Sequence, residues 1–166
     1  MKNIVLIGMP ASGKSTLGVV LAKALGMDFV DTDLLIQRAH GKRLQDIIQK
    51  KGLKAFSAIE EETLSGLELE NSVISTGGSA VYSEKAMMHL KKNGCILYLH
   101  VPFNEIQRRL RNITTRGIVM SPGTTLKQLY DERLPLYQHY ADMVIHCTGK
   151  NLEQCVDDIV RRLTRA

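Results

Sequence analysis

Gly8-Met9-Pro10-Ala11-Ser12-Gly13-Lys14-Ser15 is the stretch of sequence that decides the fold. The residues before it, 3–7, are mostly β-branched or leucine and predict a central β-strand. The residues after it, 16–25, predict a helix that closes at Gly26. The pattern G-x-x-x-x-G-K-[S/T] between a strand and a helix indicates a phosphate-binding loop, so the chain is predicted to bind ATP with Mg²⁺.

The chemistry of phosphate binding explains the residue types in this loop. Glycines let backbone N–H groups turn inward as a cradle for an anion, and the positive end of the helix dipole near Lys14 adds to it. Lys14 can reach the β- and γ-phosphates in a catalytic role, and the Ser15 hydroxyl can bind Mg²⁺. The predicted nucleotide-binding residues of the loop are Gly8, Ala11, Ser12, Gly13, Lys14, Ser15 and Thr16.

The rest of the chain alternates between short apolar runs and longer helical patterns, as a parallel sheet covered by helices requires. Further strands are predicted at 29–30, 73–76, 95–99 and 143–146. Helices are predicted at 44–51, 55–70, 83–93, 104–111, 125–140 (despite Pro135) and 152–163, with a mobile loop over 113–123. We therefore predict one α/β domain over residues 1–166.

Composition and charge favour a globular protein that acts on a small anionic molecule. Hydrophobic residues make up 44% and charged residues 23%, and the N-terminal apolar run stops at Gly8, too early for a signal peptide or a membrane span. The 3 cysteines and 5 histidines lack the spacing of disulfide frameworks or zinc sites. The net charge of +5 is not gathered into a basic block. We expect a cytoplasmic monomer without nucleic-acid or membrane partners.

From Asp31-Thr32-Asp33 onwards the sequence resembles the shikimate kinases, and the resemblance runs over essentially the whole chain. It includes, in order, residues 8–16, Asp31-x-Asp33, the segment from Phe56 to Glu60, Gly77-Gly78, the stretch from Arg109 to Arg116, and Arg133-Leu134-Pro135-Leu136-Tyr137. The resemblance implies a three-layer α/β/α P-loop kinase fold with a five-stranded parallel sheet. It also implies transfer of the ATP γ-phosphate to a hydroxyl of shikimate, giving shikimate 3-phosphate in aromatic amino acid biosynthesis.

The resemblance assigns roles to polar residues beyond the loop. Asp31 would help Ser15 to hold Mg²⁺, and Asp33 would hydrogen-bond the acceptor hydroxyls and accept the reacting proton. Arg133 would pair with the substrate carboxylate, for which a planar guanidinium is well suited. A bare Asp-x-Asp pattern would instead predict that Asp33 caps the following helix.

The other implied residues lie at the edges of the site. Gly77 and Gly78 would contact the acceptor, within reach of a substrate-binding helical segment at about 33–61. Arg116 would close over the phosphates, in a lid at about 111–124, and Arg109 would lie against adenine. A lid suits this chemistry because excluding water favours transfer to the acceptor over hydrolysis.

Three departures from the family pattern fall in or beside the acceptor site. The family's F-R-x-x-E is here Phe56-Ser57-Ala58-Ile59-Glu60, so the second arginine for the substrate carboxylate is missing and Glu60 lacks its usual positive neighbour. The turn after the third strand ends in Ser79 instead of glycine, and Gly117 replaces proline in the lid. Losing a charge-assisted hydrogen bond costs roughly 1.5–3 kcal/mol, and nearby Lys54 offers only a flexible ammonium as a replacement.

Three functions remain open at this point. The retained Asp33, Gly77-Gly78 and Arg133 favour a shikimate kinase with altered carboxylate binding. The alternative is a related kinase that phosphorylates another polyol or hydroxy acid, as gluconate-type kinases do. The third is a nucleotide-binding regulatory protein without transfer activity. A GTPase is not favoured, because the guanine-recognition tetrad N-K-x-D is absent from the chain.

Overall fold

The structure is a computed structural model that describes residues 2–111 and 118–165. The strands within these residues are β1 (Asn3–Ile7), β2 (Asp28–Asp31), β3 (Ser72–Ser75), β4 (Gly94–His100) and β5 (Met143–His146). The helices are α1 (Lys14–Leu25), α2 (Thr32–His40), α3 (Leu44–Lys51), α4 (Leu53–Ser65), α5 (Glu84–Lys92), α6 (Phe103–Arg111), α7 (Leu126–Tyr140) and α8 (Leu152–Arg165), and a short 3₁₀ turn covers Ala80–Tyr82.

The five strands form one sheet in the order β2-β3-β1-β4-β5, and every neighbouring pair is parallel. All five residues of β1 are buried, because this strand lies at the centre with helices over both faces. The chain leaves β1 for one side of the sheet and later crosses to the other side at β4. Ligands of open α/β sheets bind beyond the carboxyl ends of the strands at such a switch point, so the loop after β1 lies where a site is expected.

Helices cover both faces of the sheet, which gives the three layers predicted from the sequence. On one face, α1 and α8 contribute Leu17, Leu21, Val156 and Ile159 to an apolar cluster. On the other, α5 and α7 contribute residues such as Met87, Leu90, Leu129 and Tyr137. A third, smaller cluster of Ile36, Ile47 and Phe56 joins α2, α3 and α4 to one another. The predicted fold class is thereby confirmed.

The start of α2 was placed wrongly by the Asp-x-Asp pattern alone. Asp31, not Asp33, is the N-cap: its Oδ1 accepts hydrogen bonds from the backbone N–H groups of Asp33 and Leu34, at 3.0 and 3.3 Å. The helix therefore begins at Thr32, and Asp33 lies in its first turn. An aspartate at the cap satisfies N–H groups that the helix itself leaves unpaired.

Helix α4 is shorter than the apolar pattern predicted. It ends at Ser65 instead of residue 70, because the N–H of Gly66 bonds back to the carbonyl of Glu62, and the N–H of Leu67 bonds back to that of Leu64, which closes the helix. Leu67 and Leu69 continue the apolar pattern without helical structure, packing against the larger core cluster. Of the predicted loop at 113–123, residues 113–117 lie outside the described part of the chain, and residues 118–123 are neither helix nor strand.

Candidate active site

The loop between β1 and α1 forms a compact turn around the ammonium of Lys14. Lys14 is buried, and its Nζ donates to the carbonyl oxygens of Gly8 and Met9, both at 2.9 Å. Gly13, the N-cap of α1, has a φ of 93°, and Ala11 has a φ of 62°. Left-handed backbone at these positions turns successive N–H groups toward one point, as anion-binding loops do. A cation and the helix N-terminus thus face the same space.

Ser15 and Asp31 place two oxygen ligands side by side at the mouth of this loop. The Ser15 hydroxyl donates to Oδ2 of Asp31 at 2.7 Å, and its oxygen lies 3.3 Å from that of Ser75. Mg²⁺ prefers hard oxygen ligands and takes only one or two from the protein, the rest coming from phosphate and water. This pair fits such an ion, and the described residues contain no group of three or more His, Cys, Asp and Glu side chains that could hold a metal alone.

Gly77 and Gly78, directly after β3, leave room for side chains that converge from three helices. A Cβ at Gly77 would lie 2.7 Å from Oδ1 of Asp33 and 2.8 Å from Oε2 of Glu60. A Cβ at Gly78 would lie 2.8 Å from Nη1 of Arg133. Real Cβ atoms essentially never approach so closely, so any other residue here would displace the polar groups of the site. The two glycines therefore permit the close approach of Asp33, Glu60 and Arg133.

Among the described residues, Arg133 is the largest fully buried side chain, with 1% of its surface exposed. Its Nη2 donates to the carbonyl of Val119 at 2.7 Å, and its Nε donates to the hydroxyl of Tyr82 at 3.3 Å. One turn further along α7, the hydroxyl of Tyr137 donates to the carbonyl of Gly78 at 2.7 Å. These bonds hold the guanidinium against the glycine turn, and its Nη1 faces Gly78.

Glu60 and Ser79 form a buried pair that was not recognised from the sequence. Ser79 adopts a φ of −90° and a ψ of −2°, which any residue tolerates, so its side chain causes no backbone strain. Its hydroxyl donates to Oε1 of Glu60 at 2.6 Å. The family pattern has a glycine at position 79 and an arginine at position 57. Both replacements, Ser79 and Ser57, therefore change the surroundings expected for the Glu60 carboxylate. The serine hydroxyl thus provides a partner that the missing arginine would otherwise supply.

Burial strongly perturbs this carboxyl. Desolvation raises the pKa of Glu60 to about 7, with the nearby Asp33 adding to the rise, while the Ser79 hydrogen bond and Arg133 act against it. Its Oε2 is buried without a hydrogen-bond partner among the described residues. A carboxyl near its pKa can donate or accept a hydrogen bond at neutral pH. Glu60 is therefore suited to bind a hydroxyl group of a ligand.

A cavity of about 330 Å³ joins the phosphate loop to these groups. Lys14, Ser15, Thr16, Asp31, Asp33, Glu60, Gly77, Gly78 and Arg133 all line it, so most of the site residues predicted from the sequence meet in one space. Ser79, which the sequence marked only as a departure from the family's glycine, also lines it, as do Arg43 and Gln37, which no motif in the sequence marked. Ser57 and Lys54 are exposed and are not among the residues that line this cavity.

Of the two remaining predicted arginines, Arg109 is not among the residues that line that cavity. Arg109, on α6, donates from Nη1 to the carbonyl of Ala11 at 3.0 Å and from Nε to Glu105 at 3.0 Å. It therefore contacts the backbone of the phosphate loop. Arg116 lies outside the described residues.

Comparison with known proteins agrees with this arrangement. The family model described as "Shikimate kinase" matches residues 10–164. A curated shikimate kinase from Sulfurihydrogenibium sp. (strain YO3AOP1) is 37% identical to this chain, and the match covers 99% of each sequence. A second, from Thermodesulfovibrio yellowstonii, is 39% identical, and the match covers 99% of this chain and 96% of the relative. The solved structure of the Acinetobacter baumannii shikimate kinase in complex with shikimate superposes with a TM-score of 0.91 at 28% identity, covering 99% of this chain and 94% of that one.

Proposed function

The chain belongs to the shikimate kinase family, and on that premise we propose that it transfers the γ-phosphate of ATP to a hydroxyl of shikimate, giving shikimate 3-phosphate. The observation that carries the proposal is the single cavity in which the phosphate loop meets Asp33, Gly77-Gly78 and Arg133. A relative that superposes over nearly the whole chain was solved with shikimate bound.

On the donor side, the chain binds and orients the triphosphate. The inward-facing N–H groups of the loop and the N-terminus of α1 hold the phosphate oxygens, and the ammonium of Lys14 neutralises charge on the β- and γ-phosphates. Ser15 and Asp31 would hold Mg²⁺, which supplies further neutralisation of phosphate charge when bound. Asp31 is fixed for this task by its N-cap hydrogen bonds and by the Ser15 hydroxyl.

On the acceptor side, the chain aligns one hydroxyl and anchors the rest of the molecule. Arg133 pairs with the acceptor carboxylate through the edge of its guanidinium that faces Gly78. Asp33 hydrogen-bonds the reacting hydroxyl and takes its proton as the new O–P bond forms, while the bond from the γ-phosphorus to the β–γ bridging oxygen breaks and ADP leaves. Phosphoryl transfer depends mainly on such positioning and on charge stabilisation, which the fixed groups of this cavity provide.

Further parts of the proposal rest on the family resemblance. They are the contact of Arg109 with adenine, closure of Arg116 over the phosphates in a lid at about 111–124, and substrate binding by the helical segment at about 33–61. No helix in the described ranges is long and apolar enough to cross a membrane. The cytoplasmic location, the monomeric state and the lack of nucleic-acid partners stay predictions.

The test is ADP release that depends on shikimate. We expect Lys14→Ala to lower kcat by roughly 10²–10³-fold through the loss of charge stabilisation. We expect Asp33→Asn to lower it by roughly 10²–10⁴-fold through the loss of the proton acceptor. Protein that binds ATP but releases no additional ADP with millimolar shikimate would contradict the proposed acceptor. A screen of polyols and hydroxy acids would then identify the molecule that the cavity accepts.

A further inference from the structure

The lining of the cavity contains a cation that the family pattern does not predict. Arg43 lines the cavity together with Arg133 and Lys14, whereas Ser57 does not. Lys14 is committed to the phosphate loop by its bonds to Gly8 and Met9. Arg43 and Arg133 are therefore the cations of the described cavity lining that can meet an acidic acceptor.

Arg133 by itself cannot present its whole guanidinium to a carboxylate. Its Nε donates to Tyr82 and one N–H of its Nη2 to Val119, so two of its five N–H groups are already used, while Nη1 faces the glycine turn. A carboxylate has two oxygens, each with two lone pairs, and is bound most tightly when both oxygens meet donors. A second donor group on the opposite wall would complete its coordination.

The backbone that presents Arg43 is held in place on both sides. Gly41 ends α2 in the left-handed conformation, with a φ of 61°. The backbone N–H of Lys42 donates to the backbone carbonyl of Gln37 at 3.3 Å. The backbone N–H of Leu44 donates to the side-chain Oε1 of the same residue at 3.2 Å. Arg43 itself lies at the N-cap of α3 in extended conformation, with a φ of −68° and a ψ of 152°.

The guanidinium of Arg43 is also available for a ligand. The residue is exposed, and it takes part in no ion pair with a side chain in the described ranges 2–111 and 118–165. Next to it, Leu44 and Gln45 line the same wall of the cavity, and Phe56 and Glu60 line the wall formed by α4. Helix α4 thus lacks the arginine that the family pattern has at position 57, but the start of α3 carries an arginine, Arg43.

We propose that Arg43, together with Arg133, binds the carboxylate of the acceptor and takes the role that the family pattern gives to an arginine at position 57. This assignment rests on the proposed function, because it concerns the carboxylate of the same acceptor. It makes Arg43 a substrate-binding residue and leaves the donor half of the site unchanged.

The assignment is tested by steady-state kinetics of Arg43→Ala and Arg43→Lys with shikimate. We expect Arg43→Ala to raise the KM for shikimate by about 10- to 100-fold, since it removes a charge-assisted hydrogen bond, with little change in the KM for ATP. Arg43→Lys keeps the charge but loses the planar fork, so its KM should lie between those of the wild type and the alanine variant. Lys42→Ala, which removes a neighbouring exposed cation, is the matched control and should leave both constants unchanged.

A neutral substrate analogue separates recognition of the carboxylate from a structural role of Arg43. Binding of shikimate and of its carboxamide is measured by calorimetry on the wild type and on Arg43→Ala. The substitution should weaken binding of shikimate and leave binding of the carboxamide unchanged. In addition, Ser57→Arg should restore a low KM in the Arg43→Ala background, because an arginine there would reach the same carboxylate.

The outcomes separate failure of this assignment from failure of the proposed function. If the wild type phosphorylates shikimate while Arg43→Ala and Lys42→Ala have the same KM, the assignment of Arg43 is wrong and the proposed function stands. Equal loss of affinity for shikimate and the carboxamide, or a raised KM in Lys54→Ala alone, also overturns it. If the wild type binds ATP but does not phosphorylate shikimate, the proposed function fails and this assignment fails with it.

Discussion

Replacing Glu60 by glutamine should change how the stability of the protein depends on pH. The Glu60 side chain is 4% exposed, and burial raises its pKa from the ordinary value of 4.5 to about 7. Because the folded state binds the proton more tightly than the unfolded chain does, this carboxyl contributes stability that is fully present below about pH 4.5 and is lost as the pH rises through about 7. Glutamine has nearly the same shape but no proton to lose.

The magnitude follows from the two pKa values. Each unit of pKa difference between the folded and unfolded states is worth about 1.4 kcal/mol, so between about pH 5 and about pH 8 the wild type should lose roughly 2–3 kcal/mol of unfolding free energy through Glu60. The Ser79 hydroxyl limits this loss, because it donates to the ionised carboxylate. The glutamine variant should lack the loss altogether.

The assay is urea unfolding at several pH values, followed by far-ultraviolet circular dichroism because the chain contains no tryptophan. Comparing wild type with Glu60→Gln at each pH cancels the titration of all other groups. Glu62→Gln, on the exposed side of the same helix, is the matched control and should give a constant difference from the wild type. If Glu60→Gln also differs from the wild type by a constant amount between about pH 5 and about pH 8, the argument from burial is refuted.

Three more substitutions test the geometry of the cavity. Gly77→Ala should lower kcat/KM for the acceptor by roughly 10–100-fold, with the KM for ATP retained, since its Cβ would lie 2.7 Å from Oδ1 of Asp33; unchanged acceptor kinetics would contradict this crowding. Asp31→Asn should keep the helix cap but raise the Mg²⁺ concentration for half-maximal ADP release by about 10-fold, and an identical Mg²⁺ titration would exclude the residue from the metal site. Tyr137→Phe should lower the unfolding free energy by about 0.5–1.5 kcal/mol, because it leaves the part-buried carbonyl of Gly78 without its 2.7 Å hydrogen bond; wild-type stability in urea would count against it.

Some parts of the site were predictable because they depend on residues that are neighbours in sequence. The phosphate loop, the strand before it and the helix after it form one continuous stretch, so their spacing alone indicates phosphate binding. The helix boundaries were predicted less well where a cap decides them. Asp31 caps α2 and Gly66 closes α4, and each cap is set by hydrogen bonds that the apolar pattern does not encode.

The sequence by itself therefore determined the fold class, the donor half of the site and the family, because local motifs and periodic apolar residues specify them. Only the tertiary structure decided how the acceptor half is built. It brings Ser79 to Glu60, which is 19 positions away, and Arg133 to Val119, which is 14 positions away. It also places Arg43 in the lining of the cavity and leaves Ser57 out of it. The physical reason is that charge and hydrogen-bond partners depend on distance in space, and the packing of α2, α3, α4 and α7 sets that distance.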